Sequence, residues 1–263
     1  MKVQRRRTTT HPAGAGTETN PQVETATSPN QLGLDQRHSA VVLLSGGLDS
    51  ATTLAVAVSQ GFDCNALTID YGQRHRVEID RARSIALFMA VPHRCVRVDL
   101  AAFGGSALTD EIPVPHPDSE TEIGSGVPTT YVPARNTVLL SLALAWAETL
   151  EARDLFIGAN VLDFSGYPDC RPEFLEAFEI VANLGTCAGS EQGAHFKVHA
   201  PLLQSTKAEI IERGAELGVP FQLTHSCYDP NPQGSACGLC DACILRRRGF
   251  QRAGIEDPTP YAS

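Results

Sequence analysis

The segment Ser45-Gly46-Gly47-Leu48-Asp49-Ser50 combines two adjacent glycines with two hydroxyls and one carboxylate. It follows the apolar run Val41–Leu44 and precedes a helical apolar pattern over residues 51–58, which predicts a strand, a glycine turn and a helix N-terminus. Such a turn binds anions, because glycines let the backbone approach a phosphate and free N–H groups favour negative charge. Asp49 would repel a bare phosphate, so its presence indicates a nucleotide that arrives with Mg²⁺.

The glycine turn is not a Walker motif, because the Gly-x-x-x-x-Gly-Lys-Ser/Thr spacing does not occur there. It resembles the SGGxDS signature of the PP-loop ATP pyrophosphatases, which split ATP between the α and β phosphates. The alternative is an ordinary Gly-Gly turn between a strand and a helix. The residues predicted to contact ATP are Leu44, Ser45, Gly46, Gly47, Leu48, Asp49, Ser50, Ala51, Thr52, Thr53 and Leu54.

Four cysteines near the C-terminus form a second constellation, Cys227-x9-Cys237-x2-Cys240-x2-Cys243. Four thiolates at this spacing suit one structural Zn²⁺ per chain in tetrahedral coordination. Cys-x2-Cys-x2-Cys also begins ferredoxin-type iron–sulfur runs, although here the fourth cysteine lies upstream and no Cys-Pro follows. Zinc is therefore favoured over an iron–sulfur cluster and over four unliganded thiols.

Composition restricts the class of protein. The 263 residues are 42 % hydrophobic, enough for a sizeable core, and no apolar run is long enough to span a bilayer. No apolar segment follows the basic start of the chain, so a cytoplasmic protein is expected. The net charge of −9 argues against nonspecific nucleic-acid binding. Arg246-Arg247-Arg248 could form a local basic patch, but a solvated helix end is the favoured interpretation.

The order of the patterns predicts an α/β fold with a parallel sheet and helices on both faces. Residues 1–38 lack apolar periodicity and are expected to be disordered. Residues 39–225 form the predicted ATP-binding domain, 226–250 the cysteine module and 251–263 a flexible tail. Residues 100–132 are expected to form a lid or an interface arm. The predicted strands are Val41–Leu44, Asn65–Asp70, Arg94–Asp99, Asp154–Ala159 and Phe196–Ala200.

Further segments make the resemblance specific: Asp70–His75, Val132–Asn136, Asp163–Arg171 and Ser226–Tyr228. With the glycine turn and the cysteines, they identify a chain that resembles the 7-cyano-7-deazaguanine synthase family, nitrile-forming ligases of the queuosine pathway. The resemblance implies a Rossmann-like, adenine nucleotide alpha hydrolase-like domain and a homodimer. It also implies that 7-carboxy-7-deazaguanine, ammonia and ATP with Mg²⁺ are the substrates, and that two ATP become AMP and pyrophosphate. An ending in ADP and phosphate stays open.

Residue roles follow from the resemblance and from chemistry. Asp49 and Ser50 are expected to act at the phosphates, with Mg²⁺ on Asp49, while Arg135 and Lys207 contact the α-phosphate or the substrate carboxylate. His75 could shuttle protons or simply be a hydrogen-bonded loop residue. The residues predicted to bind the deazaguanine are Asp163, Tyr167, Asp169 and Arg171, for which an Asx turn and a packed tyrosine are the structural alternatives.

Two other classes remain as alternatives. One is another PP-loop enzyme, such as a tRNA thiolation enzyme, which would need a tRNA-binding surface that the acidic composition disfavours. The second is a non-catalytic zinc-ribbon binding module with a vestigial nucleotide loop. The intact serines, glycines and aspartate of the turn argue against this second class.

Overall fold

The first strand, β1 (Ser39–Leu43), is the central strand of a five-stranded parallel sheet of order β3-β2-β1-β4-β5. The computed structural model describes residues 38–117, 126–162 and 166–262, so the expectation of disorder over residues 1–38 falls almost wholly outside it. The other strands are β2 (Asp63–Asp70), β3 (His93–Arg97), β4 (Asp154–Phe156) and β5 (Lys197–His199). Every pairing is parallel, as predicted from the alternating pattern.

Helices cover both faces of this sheet, which confirms the predicted layers. Their bounds are α1 (Leu48–Ser59), α2 (Val77–Phe88), α3 (Arg135–Thr149), α4 (Pro172–Gly185), α5 (Cys187–Ser190), α6 (Lys207–Glu216) and α7 (Asp241–Ala253). Short 3₁₀ turns span Ala101–Phe103, Pro168–Cys170 and Phe221–Leu223. Within the described ranges, no helix is long and apolar enough to cross a membrane.

The alternation of β1 divides the core in two. Val41 and Leu43 pack with α3 and α4 on one face, while Val42 and Leu44 pack with α1, α2 and α6 on the other. Because the strands on either side of β1 are reached by crossovers in opposite directions, the loops after β1 and β4 open a crevice between them. A ligand is expected in that crevice.

Several predicted boundaries are wrong by a few residues. The fourth strand ends at Phe156 rather than Ala159, because the chain leaves the sheet to pass behind the glycine turn. Helix α3 has Ala134 as its N-cap, with φ 54°, and Asn136 is buried in its first turn. On α4, Val181 is 57 % exposed, whereas Ala182 is buried against the sheet.

The cysteine segment packs onto the α/β core. Helix α7 lies along α6, and Phe250 is buried in the core face that also holds α1 and α2. Gly249 permits this close approach, because a Cβ there would lie 2.4 Å from Cγ of Lys207. The cysteine segment therefore packs directly against α6, the helix that carries the predicted site residue Lys207.

The tail over 251–263 differs from the flexible segment that we expected. Residues 251–253 complete α7, and backbone bonds join Ala236 N to Pro260 O at 3.0 Å and Ala262 N to Ala236 O at 2.7 Å. The Tyr261 hydroxyl donates to Asp257 Oδ2 at 2.6 Å. The two bonds of Ala236 attach the tail to the cysteine segment.

Candidate active site

The glycine turn after β1 is organised by its two serines. Ser50 Oγ accepts the Ser45 N–H at 3.1 Å and donates to Gly47 O at 3.0 Å, while Ser45 Oγ accepts the Gly47 N–H at 3.3 Å. The two hydroxyl oxygens are 3.0 Å apart. The loop therefore keeps its shape through its own hydrogen bonds, at the start of α1 where the helix dipole favours an anion.

Neighbouring backbone fixes the loop from outside. Gly46 has φ +91°, and a Cβ there would lie 2.2 Å from Glu78 O, so only glycine fits. The Gly46 carbonyl accepts the His225 N–H at 2.9 Å. On the far side, a Cβ at Gly158 would lie 3.1 Å from Ser50 N. Three separate segments thus meet at this loop.

Asp49 and Lys207 form an ion pair across this loop. Lys207 Nζ donates to both Asp49 carboxylate oxygens, at 2.8 and 2.9 Å, and the two side chains are only 11 % and 18 % exposed. Lys207 is the first residue of α6, whose start is fixed by a capping box between Thr206 and Glu209. The structure therefore brings together two of the predicted catalytic residues. We call the segment Ser45–Ser50 together with Lys207 the phosphate end.

A cavity of about 210 Å³ extends from the phosphate end between the strand ends. Another part of its wall, which we call the aromatic end, consists of Tyr71, Arg135, Tyr167 and Tyr228, and Glu78 of α2 lines the cavity beside them. The Arg135 guanidinium lies 5.9 Å from the Tyr71 ring centroid, a cation–π arrangement. Three aromatic rings with one cation can hold a flat, electron-rich ring that carries an anionic substituent.

Burial determines the protonation of the aromatic end. It raises the pKa of Tyr71 to about 12, although the Arg135 charge opposes the change. It likewise raises the pKa of Tyr228 well above its usual value. Burial also raises the pKa of Glu78 to about 7, although the Arg135 charge acts to lower it. The phenols are therefore neutral donors near pH 7, whereas Glu78 titrates there.

The residues predicted to bind the deazaguanine fall in different places. Asp163 lies outside the described residues. Tyr167 lines the cavity, with its hydroxyl 3.0 Å from Thr130 Oγ1. Asp169 does not line the described cavity: its Oδ2 accepts the Asn136 N–H at 2.9 Å and so satisfies the start of α3, and its role in binding stays a prediction. Arg171 is exposed and does not line the described cavity either.

The residues predicted to contact ATP fall into two groups. Leu44, Ser45, Gly47, Leu48, Asp49 and Ser50 line the cavity, as expected. Ala51, Thr52, Thr53 and Leu54 are instead fully buried in α1 and face the core. Gly46 is pressed against α2 rather than facing the cavity. At these four positions the helix turns the side chains away from the cavity, and their contact with ATP stays a prediction.

His75 and Cys170 have supporting positions. His75 does not line the described cavity, and its Nε2 is 3.9 Å from Asp229 Oδ1, so the proton-shuttle hypothesis loses its geometric basis. Cys170 is buried and accepts from Asn136 Nδ2 at 3.3 Å. Burial raises the pKa of Cys170 to about 11, so it is a thiol rather than a nucleophile at neutral pH.

The four predicted metal ligands converge. The sulfur atoms of Cys227, Cys237, Cys240 and Cys243 lie within 4.8 Å of one another. A tetrahedral Zn–S distance of about 2.3 Å places sulfurs roughly 3.8 Å apart, and the Cys227–Cys237 pair is at 3.5 Å. Backbone N–H groups also point at the sulfurs, including those of Asp229 and Tyr228, at 3.3 and 3.4 Å. This donor set fits a zinc ion.

Arg246 is the residue that sequence reasoning placed least well. It is 2 % exposed rather than solvated, and its guanidinium donates to Asp257 Oδ1 at 3.0 Å and to Thr224 Oγ1 at 2.7 Å. It also donates to Phe221 O at 3.3 Å. These bonds join the tail, the segment before the cysteines and α7.

Many residues of the described cavity wall were not assigned from the sequence, among them Tyr71, Glu78, His225, Tyr228 and Arg246. Tyr71 and Tyr228 lie inside segments that carried the family resemblance, and that position was the available signal. Glu78 is part of an ordinary amphipathic helix, and nothing in its neighbours' residue types indicates a cavity.

Comparison with known proteins gives a consistent set of relatives. The family model for "Queuosine biosynthesis protein QueC" matches residues 39–254. A 7-cyano-7-deazaguanine synthase of Thiobacillus denitrificans is 60 % identical over 225 residues, covering 85 % of this chain and 98 % of that protein. Another, from Desulfatibacillum aliphaticivorans, is 54 % identical over 227 residues, covering 86 % and 97 %.

Among solved structures, an NMN synthetase from Francisella tularensis matches 84 % of this chain and 78 % of its own, with 16 % identity and a TM-score of 0.43. A likeness this distant carries no argument about activity.

Proposed function

Because the chain belongs to the queuosine biosynthesis protein QueC family, we propose that it converts 7-carboxy-7-deazaguanine and ammonia to 7-cyano-7-deazaguanine with ATP as the activating substrate. The curated relatives are named for this product. The observation that carries the proposal is one cavity with a phosphate end and an aromatic end. A ligase that activates a carboxylated heterocycle with ATP needs both.

The chemistry explains the need for ATP. A nitrile retains neither carboxylate oxygen, and oxide and hydroxide are poor leaving groups at neutral pH. Transfer of AMP to the carboxylate lets the first oxygen leave with AMP when ammonia attacks, which gives an amide. A second AMP transfer, to the amide oxygen, lets the second oxygen leave and yields the nitrile.

The phosphate end supports α-phosphate cleavage. Its backbone and the two serines can hold the β and γ phosphates, which depart as pyrophosphate. Lys207 brings a positive charge to the same place, where charge develops as the bond breaks. Both Asp49 carboxylate oxygens accept from Lys207. To bind the Mg²⁺ that accompanies ATP, Asp49 would have to contact Lys207 and Mg²⁺ together or release Lys207. Its role as magnesium ligand stays a prediction.

The aromatic end supports binding of the deazaguanine. Tyr71, Tyr167 and Tyr228 offer ring faces and neutral hydroxyl donors to a flat heterocycle. Arg135 can pair with its carboxylate in a bidentate manner. This arrangement would direct the carboxylate along the cavity toward the phosphate end, where AMP is transferred.

The cysteines have a structural role in this proposal. Cys227, Cys237, Cys240 and Cys243 would hold Zn²⁺, which when bound supplies a cross-link and no open coordination position for chemistry. The neighbouring residue Tyr228 lines the cavity, so the metal site supports the aromatic end.

Mass spectrometry of the zinc-loaded protein with 7-carboxy-7-deazaguanine, ATP, Mg²⁺ and ammonium tests the proposal. We expect nitrile to accumulate with about two AMP for each molecule formed. Unchanged deazaguanine with ATP still cleaved to AMP would favour another PP-loop enzyme, such as a tRNA thiolation enzyme. ADP as the nucleotide product would contradict the double AMP transfer.

The variant Asp49→Asn separates an enzyme from a binding module. It keeps the side-chain shape but removes the charge that pairs with Lys207. We expect turnover to fall about 100-fold or more with the fold intact, as is typical when a group that organises transition-state charge is lost. Asp63→Asn, an exposed residue at the start of β2, is the matched control. A binding module with a vestigial loop would tolerate both substitutions equally.

A further inference from the structure

Glu78 occupies a fixed position between the two ends of the cavity. It is the second residue of α2, and its backbone carbonyl is the atom against which Gly46 packs. Its side chain lines the cavity together with Asp49 and Arg135. The helix that carries Glu78 is thus held directly against the glycine loop, which fixes the Glu78 backbone beside the phosphate end.

Glu78 is the available carboxylate in the described part of that cavity. The wall there includes two acidic side chains, Asp49 and Glu78, and Asp49 is held by two bonds from Lys207. Glu78 faces Arg135 from α3, Tyr71 after β2 and Tyr228 before the first zinc-binding turn. Burial raises the pKa of Tyr71 to about 12, so that phenol cannot act as a base near neutral pH.

The proposed reaction has protons to remove from nitrogen, although AMP transfer to a carboxylate has none. Attack of ammonia on the carboxyl-AMP gives a tetrahedral adduct with a positively charged nitrogen. Loss of AMP to form a neutral amide requires one N–H proton to leave. Conversion of that amide to a nitrile requires both remaining N–H protons to leave.

We propose that the Glu78 carboxylate, set beside the phosphate end and facing Arg135, is the base that accepts these nitrogen protons. This role rests on the proposed function and deepens it. In amide formation, Glu78 takes an N–H proton while the C–O bond to AMP breaks and its electron pair leaves with the phosphate oxygen. The protonated carboxyl then returns the proton to water.

Nitrile formation uses Glu78 twice. As the amide oxygen attacks the second ATP and pyrophosphate leaves, one N–H proton passes to the carboxylate and gives a neutral imidate bound to AMP. Glu78 returns that proton to water and then accepts the last N–H proton, the N–H electron pair becomes the third carbon–nitrogen bond, and the C–O pair leaves with AMP. Burial raises the pKa of Glu78 to about 7, which suits a base that must accept and release protons near neutral pH.

The variant Glu78→Gln tests this role, because it retains the side-chain length and removes the base. One assay measures pyrophosphate formed in a single turnover with 7-carboxy-7-deazaguanine and ATP but no ammonium, a step without nitrogen protons. A second measures amide and nitrile formed after ammonium is added. We expect the first to stay within about threefold of wild type and the second to fall about 100-fold or more.

Two further variants sharpen the test. Glu78→Asp, which keeps a carboxylate on a shorter side chain, should recover part of the ammonium-dependent rate and the rise of kcat with pH near 7. Glu78→Gln should lose that rise. Asp80→Asn, on the same helix and paired with Arg83 at the surface, is the matched control and should behave as wild type.

The outcomes are distinct. Equal loss of both steps in Glu78→Gln would overturn the base assignment. So would a tenfold weaker binding of 7-carboxy-7-deazaguanine, which would make Glu78 a group that recognises the deazaguanine ring. If wild type forms no pyrophosphate with this substrate, the proposed function itself fails, and the role of Glu78 fails with it.

Discussion

The phosphate end is made mostly by one continuous segment, whereas the aromatic end is assembled from side chains that are distant in sequence. Ser45–Ser50 form the first through bonds among their own backbone and hydroxyl groups. The second needs Tyr71 after β2, Arg135 at the start of α3, Tyr167 after β4 and Tyr228 beside the cysteines. The proposed triphosphate site thus depends on backbone shape, whereas the proposed heterocycle site depends on how separate elements pack.

Removal of zinc should produce the largest effect and should affect the aromatic end most. Tyr228 donates its N–H to Cys240 Sγ and follows a second ligand, Cys227, so loss of the metal frees this wall of the cavity. We expect the unfolding midpoint to fall by more than about 10 °C. We also expect the affinity for 7-carboxy-7-deazaguanine to fall more than the affinity for ATP. Calorimetry with 1,10-phenanthroline, and with non-chelating 1,7-phenanthroline as control, measures this. An equal loss of affinity for both ligands would contradict the contrast between the aromatic end and the phosphate end.

Gly46→Ala should break the phosphate end instead. The new methyl group would meet Glu78 O at 2.2 Å in a backbone with φ +91°, so the loop or α2 must move. We expect a loss of about 2–4 kcal/mol in the free energy of unfolding, from strain and overpacking together.

Gly61→Ala is a matched control for backbone strain. Gly61 has a similar φ of +87°, but a Cβ there meets nothing within 4 Å, so only the conformational cost of about 1 kcal/mol applies. Denaturant unfolding compares the two variants, and ATP titration of each tests the loop. Similar losses in both would mean that contact with α2 does not shape the loop.

Tyr167→Leu should affect the aromatic end alone. It removes a ring from the cavity wall, and stacking of a base on an aromatic side chain is worth about 1–3 kcal/mol. We expect the Kd for 7-carboxy-7-deazaguanine to rise roughly 5- to 150-fold and the Kd for ATP to stay within about twofold. Phe103→Leu, at an 85 % exposed ring, is the control. A comparable rise in the Kd for ATP would show that the two ends are not independent.

The same contrast explains what could be predicted from the sequence. The parallel sheet, the glycine turn and the four cysteines were predictable, because apolar periodicity and local spacing determine them. The position of Asp169 could not be predicted, because residue type alone cannot distinguish a ligand-binding carboxylate from one that accepts the N–H of Asn136. Glu78 and Arg246 were missed because their roles depend on which helix face meets another segment. Packing decides this, and the local pattern does not record it.

Glu78→Gln should have the smallest effect on stability, and one whose sign depends on pH. Because burial raises the pKa of Glu78 from its usual range to about 7, the folded state favours the protonated carboxyl. Its stabilising contribution is complete below the unfolded pKa, near 4.5, and is lost as the pH rises through 7. A neutral glutamine has no such pH-dependent loss. The free energy of unfolding of the variant should therefore rise relative to that of wild type as the pH rises from 6 to 8.5. We expect a gain of roughly 2–4 °C, the shift that about 1 kcal/mol produces in a domain of this size. Thermal unfolding at several pH values measures it, and a difference that stays constant with pH would mean that Glu78 is not held in an environment that disfavours its charge.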